Sequence, residues 1–317
     1  MNDLFLNTFL SVFQGIIKIF LIGAVSGILV WRKIISQEHI DGLSAITVII
    51  FLPCLIFSSM ATGFHPDEMT FWWLIPIGVI IITSVGISVT ALFFIPDLKK
   101  HKNILPLSSI NNAAYLILPI GEFVYSDQFD MFAVYCFIFV LGMSPMLWSA
   151  GLYFVTEQKK LKLKELVKPP FVANILALIL VLANVQHYTP PAIADSIEML
   201  GKATVPAATF ILGATLAGTV RGLPGFWVTF RITFVKFVII PILTIIILKA
   251  LRLNETQPLL ADVLVIQAAA APATGFILQV RTYGGNLKKI GGIIFISYFI
   301  TLIAIPIWLT VWKMITV

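Results

Sequence analysis

Two stretches of this sequence hold the groups best able to recognise a small charged molecule. The first is Ser108-Ser109-Ile110-Asn111-Asn112-Ala113-Ala114-Tyr115-Leu116-Ile117-Leu118-Pro119-Ile120-Gly121-Glu122, and the second is Gln267-Ala268-Ala269-Ala270-Ala271-Pro272-Ala273-Thr274-Gly275. Each sets polar side chains beside a proline inside an apolar run. A proline within a helix removes a backbone donor and clashes with the carbonyl one turn back, so both runs leave polar groups that hydrocarbon cannot satisfy. Half-helices beginning at Pro119 and Pro272 would aim free N–H groups, at the positive end of the helix dipole, toward their meeting point. Such a point suits an anion, a carboxylate above all. The amides of Asn111, Asn112 and Gln267, the hydroxyl of Thr274, small Ala273 and the apolar Tyr115 and Ile120 are the expected lining beside the two prolines. Cys54 and Cys136 stand singly in apolar runs, so neither a disulfide framework nor a metal site is expected, and no cofactor is implied.

Charges inside apolar runs are costly, and each needs a role. Glu122, three residues after Pro119, either binds a coupling proton or cation or already lies among the outer headgroups with Asp127 and Asp130. Lys236, five residues before Pro241, either balances an anionic substrate or snorkels to the surface. Lys202 follows Glu198 by one helical turn and predicts a local ion pair. Lys18 lies deep in the first run with no assigned task.

The elements that position these groups are membrane spans. Of 317 residues, 59% are hydrophobic and 11% charged, too apolar a mixture for a domain that must cover itself with polar surface. Spans of about 20 residues leave room for about ten. Apolar runs place them near 8–31, 40–61, 70–95, 104–125, 130–155, 170–187, 192–220, 226–250, 258–281 and 289–313. The first run is too long for a signal-peptide core and reads as a retained span. Gly23 and Gly27 within it form a small-residue pair, expected to pack inside the chain, with a subunit contact as the alternative. Basic residues alternate by loop: Arg32 and Lys33; Lys99, Lys100 and Lys102; the run from Lys159 to Lys168; Arg221; then Arg281, Lys288 and Lys289. The positive-inside rule puts those loops in the cytoplasm and both termini outside it, in an inner membrane. The net charge of +6 is thereby explained by orientation, and no nucleic-acid partner is expected.

Pro53 and Pro206 stand 153 positions apart, and so do Pro119 and Pro272. This predicts two five-span units, residues 1–155 and 169–317, joined by a basic cytoplasmic linker over 156–168. Because each unit has an odd number of spans, the second is inverted. The predicted fold is all-α and polytopic, with ten transmembrane helices in two inverted repeats and broken helices 4 and 9 crossing near mid-membrane.

Asn112-Ala-Ala-Tyr-Leu-Ile-Leu-Pro119, with Asn seven before Pro, resembles the Gly-Asn-Thr-Gly-Phe-x-Gly-x-Pro signature of the auxin efflux carrier family. Ala269-Ala270-Ala271-Pro272-Ala273-Thr274, followed by Arg281-Thr-Tyr-Gly-Gly285, looks like the same family's second crossover, and Val205-Pro206 through Gly213-Ala-Thr-Leu216 its seventh span. The chain departs at Asn111, where the family usually has Gly, and at Ala113, where it usually has Thr. The resemblance implies a scaffold domain, a separate crossover transport domain, an elevator-like motion and a homodimer through the scaffold helices. Carried over by residue, Asn112, Pro119 and Pro272 would line a substrate carboxylate site. A bile-acid-type sodium symporter shares this plan, but would draw its ligands from Glu122, Gln267 and Gln279. A ligand sensor without transport is the rival from another class. No P-loop, His-Glu-x-x-His helix or Gly-x-Ser-x-Gly elbow is present, so enzymatic chemistry is not expected.

Overall fold

The computed structural model describes residues 2–69, 71–156, 167–218 and 224–316, and among them every regular element is helical. Seven helices are long and apolar enough to cross a membrane. These are α1 (Asn2–Trp31, of which Thr8–Trp31 qualifies), α2 (Gln37–Gly63) and α3 (Leu74–Phe93), then α5 (Ser126–Val155), α7 (Pro191–Ala217), α8 (Phe226–Ala250) and α11 (Leu287–Thr316). The remaining helices of eight residues or more are α4 (Ile117–Val124), α6 (Pro169–Leu182), α9 (Pro258–Ala268) and α10 (Gly275–Tyr283). Of the ten expected spans, then, seven are uninterrupted. The fourth and ninth are broken, and α6 has 14 residues, about 21 Å of helix, where the expected span ran on to residue 187. Expected features on residues 157–166 and 219–223, including most of the basic linker and Arg221, lie outside the described residues.

The apolar exterior follows from the solvent. Leu21, Ile81, Ile246 and Phe299 are all more than half exposed, which would be a defect in water but is ordinary where the neighbours are lipid tails. Helix association in that setting depends on close packing. Gly23 and Gly27 of α1 supply it against α7: a methyl added to Gly27 would come within 3.3 Å of Ala217 Cβ, and one added to Gly213 would overlap the Gly23 backbone. The small-residue pair therefore serves packing within the chain.

Proline sets the irregularities. Wide π turns occupy Thr47–Phe51 just before Pro53, Leu147–Gly151 just after Pro145, and Val235–Ile239 just before Pro241. A π turn lets the chain route its hydrogen bonds around the missing prolyl donor. Near Pro241 the carbonyl left without its usual partner is that of Phe237, and Trp308 Nε1 on α11 donates to it at 2.7 Å. That bond ties α8 to α11 at the depth of the site.

Candidate functional site

The fourth run is a 3₁₀ turn over Lys102–Ser108, leaves helical geometry over 109–116, and resumes as α4. The ninth stops with α9, is irregular over 269–274, and resumes as α10. The ninth run breaks at its proline, and the fourth breaks just ahead of its own. Pro119 lies inside the first turn of α4, where its missing donor costs nothing, whereas Pro272 lies within the interruption itself. Helices α4 and α10 begin 158 positions apart, so the 153-residue proline spacing does not bring the two helix starts into register.

The two interruptions lie against each other. Asn112 N–H donates to the Ala271 carbonyl at 2.9 Å and Ala273 N–H to the Ile110 carbonyl at 3.0 Å, an antiparallel bridge centred on Asn111 and Pro272. In such a bridge the central pair exchanges no hydrogen bond, so a residue without an N–H fits there at no cost. Each break thus satisfies backbone groups of the other, which the membrane interior demands.

Side chains complete the joint. Asn111 Nδ2 donates to the Gln267 carbonyl at 2.5 Å, and Gln267 Nε2 returns a bond to the Ala113 carbonyl at 2.9 Å. Asn112 Nδ2 donates to the Tyr298 hydroxyl of α11 at 2.6 Å. Behind them Thr90 donates to Ser108 at 2.7 Å, and Ser108 and Ser109 share a bond. Lys236, inside the π turn of α8, is fully buried and donates to Asn111 Oδ1. Snorkelling is therefore ruled out for Lys236. Among the described residues no carboxylate pairs with it, and the Gln267 Oε1 atom is buried with no partner.

The structure brings Asn111, Asn112, Gln267, Pro272, Ala273 and Lys236 together. Thr274 immediately precedes α10, half-buried and without a side-chain capping bond, and Tyr115 is half-buried ahead of α4. Pro119 and Ile120 are buried in the first turns of α4. Glu122 is exposed, with Asp130 and Lys202 as its nearest charges, and is not part of the joint. Gln279 bonds the Leu147 carbonyl at 2.8 Å and also stands apart. Lys18 lies over the Phe123 ring, and Lys202 pairs with Glu198 at 2.6 Å. Sequence reasoning missed Tyr298 and Trp308; the usable signal was that a hydroxyl or indole N–H in hydrocarbon must find an acceptor or donor. It also missed Asp262 of α9, buried beside Lys313 and Tyr125. A cavity of about 500 Å³ opens between α1, α7 and α11, lined by Phe20, Ala24, Leu212, Leu216 and Phe299 and reaching Tyr298.

The description "Membrane transport protein" belongs to the family model that matches residues 11–309. An uncharacterized transporter of Methanocaldococcus jannaschii is 23% identical over 284 residues, covering 87% of this chain and 90% of that protein. Protein PIN-LIKES 7 of Arabidopsis thaliana is 19% identical across 93% of the chain and 95% of its own length. Protein PIN-LIKES 1 of the same plant is 27% identical over 164 residues, 48% of the chain but 34% of that protein. With an all-helical multi-pass architecture and a family model matched over nearly its whole length, the chain belongs to the membrane transport protein family that includes the plant PIN-like proteins.

Proposed function

We propose that the chain is a secondary transporter that moves a small organic anion, its carboxylate held where the broken fourth and ninth spans cross. The observation that carries this reading is Lys236: a lysine wholly out of solvent whose amino group has an amide oxygen as its only polar partner among the described residues. A buried cation is stable when something compensates its charge, and here the compensation is left for a ligand. Asn111 and Asn112 orient that ligand, and the paired breaks give it a rigid floor. Gln267 Oε1, buried and unpartnered, offers one oxygen to a sodium ion, but Glu122 and Gln279 stand elsewhere, so the anion reading is preferred over a sodium symporter.

In this reading the ten spans form two inverted five-helix repeats, 1–155 and 169–317, and the crossover rides an elevator-type movement against a scaffold that also supplies a homodimer contact. The protein sits in the inner membrane with both termini outside the cytoplasm. Ligand binding to the native state raises its apparent stability by mass action. A panel of small carboxylates is therefore expected to raise the melting temperature of purified protein, with the rise lost in Asn112→Ala. Counterflow of the labelled hit in proteoliposomes separates a carrier from a sensor, because only a carrier exchanges bound ligand across the bilayer. A panel in which neutral or cationic compounds alone stabilise the protein would sink the anion reading.

A further inference from the structure

Asp262 lies in α9, five residues before Gln267 on the half-helix that leads into the joint, and is 2% exposed. Its Oδ2 accepts from Lys313 Nζ at 2.5 Å and from the Tyr125 hydroxyl at 3.0 Å. Its Oδ1 is buried and has no partner. A carboxylate oxygen without a donor, out of solvent, is the position where an added proton meets least resistance. Lys313 is 37% exposed and lines a cavity of about 300 Å³ with Thr8, Ser11, Val124, Tyr125 and Leu309. That cavity lies at the end of the bundle where α1 begins and α11 ends, so it gives a proton a route to the pair.

The groups facing Asp262 are few. From α11 come Lys313 and the indole of Trp312, and from the turn after α4 comes Tyr125. Helix α8 also packs on α9 and brings Lys236, held on Asn111, and Lys249, which donates to the Ile315 carbonyl at 3.3 Å. Helix α5 brings Asp130 and Tyr135, neither of which shares a hydrogen bond with Asp262 among the described residues. Lys313 is therefore the one basic group bonded to the Asp262 carboxylate among the described residues, and protonation of the carboxylate leaves that pair without its charge. Glu122, the carboxylate nearest Pro119 in sequence, is exposed and faces Asp130 and Lys202 instead.

We propose that Asp262 is the proton-carrying carboxylate of this chain and couples anion movement to the pH gradient. A proton from one side binds Oδ1, converting the carboxylate to the neutral acid and releasing the Lys313 pairing. The proton then leaves on the other side within the same turnover that carries the anion, and the ion pair re-forms. This rests on the transport reading above, since coupling has meaning only in a carrier.

The test uses the full-length chain in phosphatidylethanolamine and phosphatidylglycerol vesicles with labelled malonate, alongside whichever carboxylate stabilises the purified protein. One pH unit supports about tenfold accumulation per coupled proton. Wild type is expected to show both counterflow and that accumulation, and Asp262→Asn to keep counterflow while accumulation falls to about onefold. Infrared pH titration gives a readout free of substrate: an acid carbonyl band that persists above the pH range of exposed carboxyls is expected in wild type and in Glu122→Gln but not in Asp262→Asn. Should Asp262→Asn fail to fold, Lys313→Met replaces it, and the band moves to higher pH if it belongs to Asp262. Undiminished accumulation in Asp262→Asn, a band that survives it, or a band unmoved in Lys313→Met overturns the proposal. If no carboxylate shows counterflow in wild type, the transport reading has failed and coupling falls with it, while the infrared band still reports whether Asp262 is protonated.

Discussion

Two of the basic residues on helix α8, Arg231 and Lys236, stand five residues apart, and the fold treats them in opposite ways. Arg231, near the start of the helix, meets Asp97 at 3.2 Å and lies over the Phe94 ring. Asp97 also meets His101 Nε2 at 3.1 Å, and Lys289 Nζ lies 2.7 Å from His101 Nδ1, so a rim of four ionisable groups shares its charge. Lys236, one and a half turns deeper, has Asn111 alone. Paired charge at a half-exposed rim holds elements in place for little net gain, whereas a lone charge in a dry interior costs stability unless a ligand completes it. The contrast separates the part of α8 that serves the fold from the part that serves binding.

Four substitutions or conditions can break that contrast. The largest effect is expected from Lys236→Met, which should weaken carboxylate binding about hundredfold while leaving the unliganded melting temperature equal or higher, because an uncompensated buried charge has gone. Calorimetric titration and a thermal melt check the two halves; a variant that binds normally would show that Lys236 is structural.

Next comes Tyr298→Phe, which leaves Asn112 Nδ2 without its acceptor and should lower unfolding stability by about 1–2 kcal/mol, measured as a shift in the midpoint of denaturation. Retention of full stability and ligand response would mean that Asn112 is oriented by the backbone bridge alone.

Asp97→Asn removes the shared partner of Arg231 and His101. With side chains about a third exposed, the expected loss is only about 0.5–1 kcal/mol, and carboxylate affinity should stay within about twofold. A large drop in affinity would erase the distinction between rim and interior.

The smallest effect is in pH. Burial, and then the charge of Lys289, holds His101 below its usual 6.5, and Lys289 donates to Nδ1 of the neutral ring. A depressed folded value means that this contribution is fully present above pH about 6.5 and is lost as pH falls through the lower folded value. Melting temperature should therefore decline slightly from about pH 7 to about pH 5, and His101→Gln should flatten that part of the profile.

Much of the architecture was legible without coordinates. Apolar runs located the seven long membrane helices because a span must be long and nearly uncharged, and the polar, proline-bearing runs 104–125 and 258–281 are the ones the structure interrupts, as expected where backbone partners are scarce in hydrocarbon. The exact breaks were not legible. Pro119 is harmless in a first turn, and the chain leaves helical geometry before it, at residues whose partners are supplied by 269–274. The shortness of α6 was equally hidden, since an apolar run records solvent preference and not where the helix ends.

Sequence by itself determined that this chain lives in a bilayer, which apolar runs carry polar interruptions, and to which family it is similar, because these depend on composition and local order. Only the tertiary structure decided which polar groups meet. Pairing of Asn111 with Pro272, Asn112 with Tyr298 and Asp262 with Lys313 joins residues from 51 to 186 positions apart. Those contacts follow from how interrupted helices satisfy each other's backbones, a constraint that acts in three dimensions and leaves no local pattern to read.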